Sequence, residues 1–201
     1  VGRALAGDGV TNSKLKIKAA TAQEIYAGFT PSSDAQAHLK PGIAPIAFVD
    51  ALSAAALFAD ATEFYARALP KREAVWWACV CARDLPLGDA PPQFVAAVKA
   101  AETWVYRPSE ETRRAAESAA NAIKASHPAR WAAMAAFWSG GSMSPPGAPE
   151  VKPADDFTAK AVSGAVQMAA GLDPTAMPVR RPRFLAYARD IAHGGNGRLQ
   201  A

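Results

Sequence analysis

Apolar positions recur along the chain at helical spacing, and proline or glycine interrupts them every few turns. Thr21-Ala22-Gln23-Glu24 has the form of a capping box, with Ile25, Tyr26 and Phe29 as the apolar stripe of a short helix over 21–29. Beyond a loop around Pro31 and Pro41, residues 46–58 read as an apolar helix. Asp60-Ala61-Thr62-Glu63 repeats the box and predicts a restart that runs to Leu69, where Pro70 ends it. The next helix, 71–85, crowds Lys71, Arg72 and Glu73 into its first turn, then carries no charge from Ala74 to Ala82. A helix apolar on every side must be enclosed by protein or lipid. This one is too short to span a bilayer, so it belongs at the centre of a core.

Pro86, Pro91 and Pro92 break the chain again before a helix over 92–105 with Phe94, Val95, Val98 and Trp104 on helical spacing. Ser109 opens the next, with Glu110 and Glu111 in the first turn where the helix dipole favours acids, and it extends to about Ser126. Pro128 takes a first-turn position in a helix that ends at Trp138 before Gly140-Gly141. Residues 139–157, rich in Ser, Pro and Gly, read as a long crossing loop. Thr158 is expected to cap a helix to Ala170, and 181–193 forms the last one. Lys14–Lys18 alternates polar and apolar residues, the pattern of a short strand or an extended arm, and one strand makes no sheet.

The expected fold is all-α, an irregular bundle or stacked helix pairs of about eight helices. Residues 1–18 are expected as a tail or extended arm, 19–195 as one helical domain and 196–201 as a tail. Trp77, Trp104 and Trp131 fall at equal intervals of 27 residues, but their neighbours do not repeat with them, so a solenoid is not indicated.

Composition strengthens the helical reading. Alanine supplies about a quarter of the residues, and it is the best helix former. The sixteen prolines and fourteen glycines then act as punctuation between helices. The net charge is only +4, with Arg180, Arg181, Arg183, Arg189 and Arg198 near the end of the chain against the single acid Asp190. That local excess is a weak nucleic-acid signal; a solvated face, or partners for acids elsewhere, explains it better. No apolar run of transmembrane length and no signal-peptide core occurs, so a cytoplasmic location is expected.

Candidate chemistry is sparse. Cys79 and Cys81 point about 200° apart on a helix, so they cannot bridge or grip one metal together. His38, His127 and His193 lack metal-type neighbours. Ser139-Gly140-Gly141-Ser142 follows a helix rather than a strand and lacks a Walker lysine, so it reads as a C-cap and not a phosphate loop. No nucleophile elbow, kinase set or carboxylate pair appears, and neither a catalytic role nor a cofactor is expected. Lys71 and Arg72 are cations at a helix N-terminus, which costs a few tenths of a kcal/mol or more and points to a carboxylate on another segment. Glu73 is expected to pair with Arg67 or with an arginine of 107–114, as a structural brace or as part of a ligand cleft with Arg72 and Trp76. The remaining interaction candidates are aromatic. Trp76 and Trp77 face about 100° apart. Trp104 lies on its own helix. Trp131 and Trp138 share one stripe, with Trp138 the most exposed candidate for a partner anchor.

The run Leu69-Pro70-Lys71-Arg72-Glu73-Ala74-Val75-Trp76-Trp77-Ala78-Cys79 resembles the signature of a bacterial all-helical domain-of-unknown-function family. Ala101–Val105, Pro108–Ala116 and Ala136–Ser142 fit the same resemblance. It implies a protein encoded near type VI secretion and forkhead-associated-domain genes, hence an accessory or adaptor that binds another protein. It brings no catalytic residues with it.

Overall fold

The structure, a computed structural model, describes residues 15–86 and 90–199. The expectation of a loose tail at 1–13 lies outside those residues. Among the described residues ten helices follow in order: α1 (Ala22–Tyr26), α2 (Ser33–His38), α3 (Pro45–Ala54), α4 (Phe58–Ala68) and α5 (Lys71–Arg83). Then come α6 (Pro92–Tyr106), α7 (Glu110–Asn121), α8 (Pro128–Phe137), α9 (Phe157–Gly171) and α10 (Met177–Ala192). The described residues contain no strand, and the fold is all-α. Among these residues no helix is long and apolar enough to cross a membrane.

The core forms around α5, which packs against α4, α6, α8, α9 and α10. Ala74, Val75 and every residue from Trp77 to Ala82 are buried, as an uncharged helix requires. Trp77 is fully enclosed, and its indole N–H donates to the Phe184 carbonyl of α10 at 2.8 Å. Alanine decides how closely α8 and α9 approach: Ala132, Ala133, Ala136, Ala161, Ala165 and Ala169 are all buried on these two helices. Methyl groups leave little to hold backbones apart, and the aromatic rings fill what remains. Tyr26, Phe48 and Phe64 form one such cluster, with centroids 5.0–5.6 Å apart, joining α1, α3 and α4.

Several boundaries differ from the sequence expectation, each for a local reason. Ser33–His38 forms the extra helix α2, because the Ser32 hydroxyl at its N-cap accepts from the Ala35 amide. The apolar helix stops at Ala54 rather than at residue 58. Ala56 adopts a left-handed φ of 58°, and its amide and that of Leu57 bond back to Ser53 and Leu52 as a Schellman motif does. Helix α4 therefore starts at Phe58, which places Asp60–Glu63 inside it: Thr62 is buried, its hydroxyl has no partner, and no second box forms. Helix α7 ends at Asn121 instead of Ser126. Thr158 is likewise inside a helix, α9, with Asp156 at the N-cap position, and its hydroxyl donates to the Trp138 carbonyl. Helix α10 begins a turn early, at Met177, and tolerates Pro182 in its interior.

The first described segment is an extended arm and not a strand: the Lys16 amide donates to the Ala192 carbonyl, and Ile17 is buried. The crossing loop 139–157 folds down on α7. Arg113, only 3% exposed, donates to the carbonyls of Phe137 (2.7 Å) and Ser142 (2.8 Å) and pairs with Glu110. Arg114 adds bonds to the Ser142 and Ser144 carbonyls. Gly141 sits under this clasp with φ of 64°, and a Cβ there would lie 2.9 Å from the Arg113 guanidinium.

Candidate functional site

The entrance to α5 is built differently from the expectation. Arg72 is exposed and its Nε donates to the Val105 carbonyl, in the last turn of α6, at 2.6 Å. Lys71 reaches the Ser139 carbonyl just beyond α8 at 3.2 Å. The cations thus answer the carbonyl ends of two helices, which carry partial negative charge, in place of the carboxylate that was expected. Glu73 pairs with Lys16 of the arm at 3.4 Å, while Arg67 is taken by Glu63, and Arg113 and Arg114 by Glu110. Glu73 therefore takes neither Arg67 nor an arginine of 107–114, the partners expected for it; Arg67, Arg113 and Arg114 each have an acid one helical turn away.

Arg72, Glu73 and Trp76 nevertheless line one depression of about 280 Å³, together with Tyr106 and Asn196. Trp76 is half-buried, and its ring meets Tyr106 edge-on with centroids 5.5 Å apart. Tyr106 is 60% exposed. The other side of Trp76 is covered not by a helix but by the chain after α10. The indole N–H donates to the Asn196 carbonyl at 2.8 Å, and the Arg198 guanidinium lies 5.0 Å from the ring centroid. Of the expected tail, the described residues 196–199 are thus packed where they cross α5. The packing of Tyr106 and Arg198 on Trp76 is the part that sequence reasoning missed; its only trace was an arginine directly after the Gly194-Gly195-Asn196-Gly197 run.

The remaining candidates do not join it. Trp77 and Trp104 are buried in the core. Trp131 and Trp138 do share a stripe, with centroids 6.2 Å apart, but Trp138 is half-buried against Phe157 of α9 and is not the open anchor expected.

A second depression, about 300 Å³, adjoins Trp76 on the far side of Arg198. There Arg83 forms a two-pronged pair with Glu102, and Asp84 accepts from both Arg183 and Tyr187. Burial, then the bond to Asp84, pushes the Tyr187 phenol up to about 12. A third groove, about 400 Å³ and largely apolar, runs between α3–α4 and α10 past Phe58, Tyr65 and Leu185. The arginines near the chain end are mostly engaged: Arg183 with Asp84, Arg189 with Asp50, Arg181 over Phe58, Arg198 over Trp76, and Arg180 buried. Burial raises both cysteine thiols, away from the reactive thiolate. Among the described residues no group of three or more His, Cys, Asp or Glu is placed to hold a metal ion.

Fold and surface together define an all-α domain that concentrates aromatic and arginine side chains around one indole. Residues 48–192, more than half of the chain, match the model of the family of unknown function DUF6931, and the chain belongs to that family. The signature at 69–79 lies within the match. No curated protein and no solved structure matches the chain.

Proposed function

We propose that this protein is a non-catalytic, cytoplasmic helical adaptor that binds another protein through the surface around Trp76 and Tyr106. The observation that carries this reading is the exposed Tyr106 ring against Trp76, flanked by Arg72 and Arg198. Trp, Tyr and Arg are the side chains that dominate binding hot spots, and a Tyr left mostly in solvent contributes little to the fold. A setting in a type VI-like secretion assembly rests on the resemblance of the signature alone.

A pull-down from the native host, repeated with Tyr106→Ala, tests the reading. A stoichiometric protein partner lost in the variant supports it. A copurifying metabolite with no protein partner overturns it. That second outcome favours the alternative, a small-ligand binder or enzyme, for which the depression beside Arg72 and Glu73 supplies the cleft.

A further inference from the structure

The two depressions beside Trp76 share that residue and are separated only by the segment 195–199, with Asn196 walling one and Gly197 to Leu199 the other. Beneath the segment the floor is continuous. Glu73, Trp76, Val80 and Arg83 lie three or four residues apart on one stripe of α5. Glu102, Val105 and Tyr106 of α6 border one side, and Tyr187 and Ile191 of α10 the other. From Arg72 to Asp84 this trough is about 18 Å long at the rise of an α-helix. That length takes about five or six residues of extended chain.

The segment crossing the trough is held by single hydrogen bonds at its surface: the Gly195 amide donates to the Asp190 carbonyl at 2.9 Å, closing α10, and the Arg198 amide to the Asn196 side chain at 2.9 Å. Of residues 193–199 only Gly197 is buried. Its amide donates to the Asp190 carboxylate at 2.8 Å, and its φ is 70°. The grip on Trp76 consists of one backbone carbonyl and one guanidinium on either side of the bend at Gly197, groups that another chain with a well-placed arginine also presents. Few buried contacts and an exposed backbone are the marks of a part that opens locally at low cost.

We infer that residues 195–199 are a displaceable strap across a single trough, and that an extended, arginine-containing segment of a partner protein replaces them there. The carbonyl of that segment accepts from the Trp76 indole, and its arginine takes the place of Arg198 over the ring. The strap holds the site closed because, tethered beside it, it competes at a high effective concentration. This inference rests on the protein-binding reading above.

The test uses the full chain and a labelled synthetic peptide copying residues 194–199. Gly197→Val places a β-branched side chain at positive φ, where its Cβ would fall 2.8 Å from the Ile191 side chain, and so lifts the strap. Arg198→Ala loosens it without touching the backbone. Fluorescence anisotropy should show the peptide binding at least tenfold more tightly to Gly197→Val than to wild type, with Arg198→Ala between them. Replacing the peptide's arginine by alanine should abolish the gain. In 15N spectra the Trp76 indole N–H should exchange faster in both variants. Equal peptide affinity in wild type and both variants, or indole exchange unchanged in both, overturns the strap. The two ideas fail separately. A partner that needs Tyr106 yet binds wild type and Gly197→Val equally removes the strap and keeps the adaptor. Tight peptide binding by Gly197→Val, with no partner dependent on Tyr106, does the reverse.

Discussion

Arg113 offers the most demanding test of how this fold is held. Its guanidinium is enclosed between the N-terminal turn of α7, the end of α8 and the crossing loop. Arg113→Met keeps the stem and the contact with Phe137 but leaves the Phe137 and Ser142 carbonyls without these donors. The Ser142 carbonyl keeps its donor from Arg114, so the cost falls mainly on the buried Phe137 carbonyl, and the variant should be about 1–3 kcal/mol less stable than wild type. The paired Glu110 side chain is mostly in water, at 61% exposed. Its hydrogen bonds from Arg113, then Arg114, hold its carboxyl down to about 2, but solvent screens that pair, and Glu110→Gln should cost under about 1 kcal/mol. Urea unfolding followed by far-UV circular dichroism reads both, with stability changes taken at constant slope. The reasoning fails if Arg113→Met costs less than about 1 kcal/mol, or if Glu110→Gln costs as much as Arg113→Met. Either result would mean that the buried carbonyl clasp is not what fastens the loop.

Three further outcomes follow from the structure. Trp77→Ala should lose about 3–5 kcal/mol, measured by thermal and urea unfolding; a fully stable variant that instead lost a partner would remove Trp77 from the core role. Ala56→Gly should stabilise by about 0.5–1 kcal/mol, because the left-handed position penalises a Cβ more than glycine's added freedom costs; a destabilised variant would refute the Schellman turn. His127, stacked on Phe94 with centroids 3.8 Å apart, accepts the Ala129 amide at Nδ1 and caps α8. Burial lowers its pKa, so the unfolded chain binds the proton more readily: its contribution is present above the ordinary histidine range and is lost as pH falls through the lowered folded value. His127→Asn, which keeps a cap acceptor but does not titrate, should flatten the decline in urea midpoint on acidification below neutrality; an unchanged decline would clear His127 of it.

Helices were legible where the pattern was long and the punctuation hard. The uncharged run of α5, bounded by Pro70, and the stretch from Pro128 to Gly140 sit within a few residues of their expected limits, because enclosure and proline act locally. The same logic failed at Asp60–Glu63, where the form of a capping box was present but the chain had already turned at Ala56. A box works only at the first turn, and the reversal that fixed that turn used an alanine where a glycine would be the usual signal. At the candidate site, the sequence singled out Arg72, Glu73 and Trp76, and they do line one depression. Their partners, Val105, Lys16 and Asn196, come from distant segments and left no mark on the local pattern.

The sequence by itself determined that this is an alanine-rich all-α chain with an uncharged Trp-Trp helix at its centre, and that its cysteines cannot act as a pair; the expected enclosure on every side fails only at Trp76. Those properties follow from composition, helical period and the direction of side chains one or two residues apart, which need no knowledge of neighbours. Only the tertiary structure decided which tryptophan is sealed and which is covered by a thin strap, and which carbonyls the cations at the head of α5 would meet. It also decided that the crossing loop would be clamped by a buried arginine. Those outcomes depend on which helix ends and loops converge, and an amide, carbonyl or guanidinium takes its partner from whatever segment packing brings within about 3 Å.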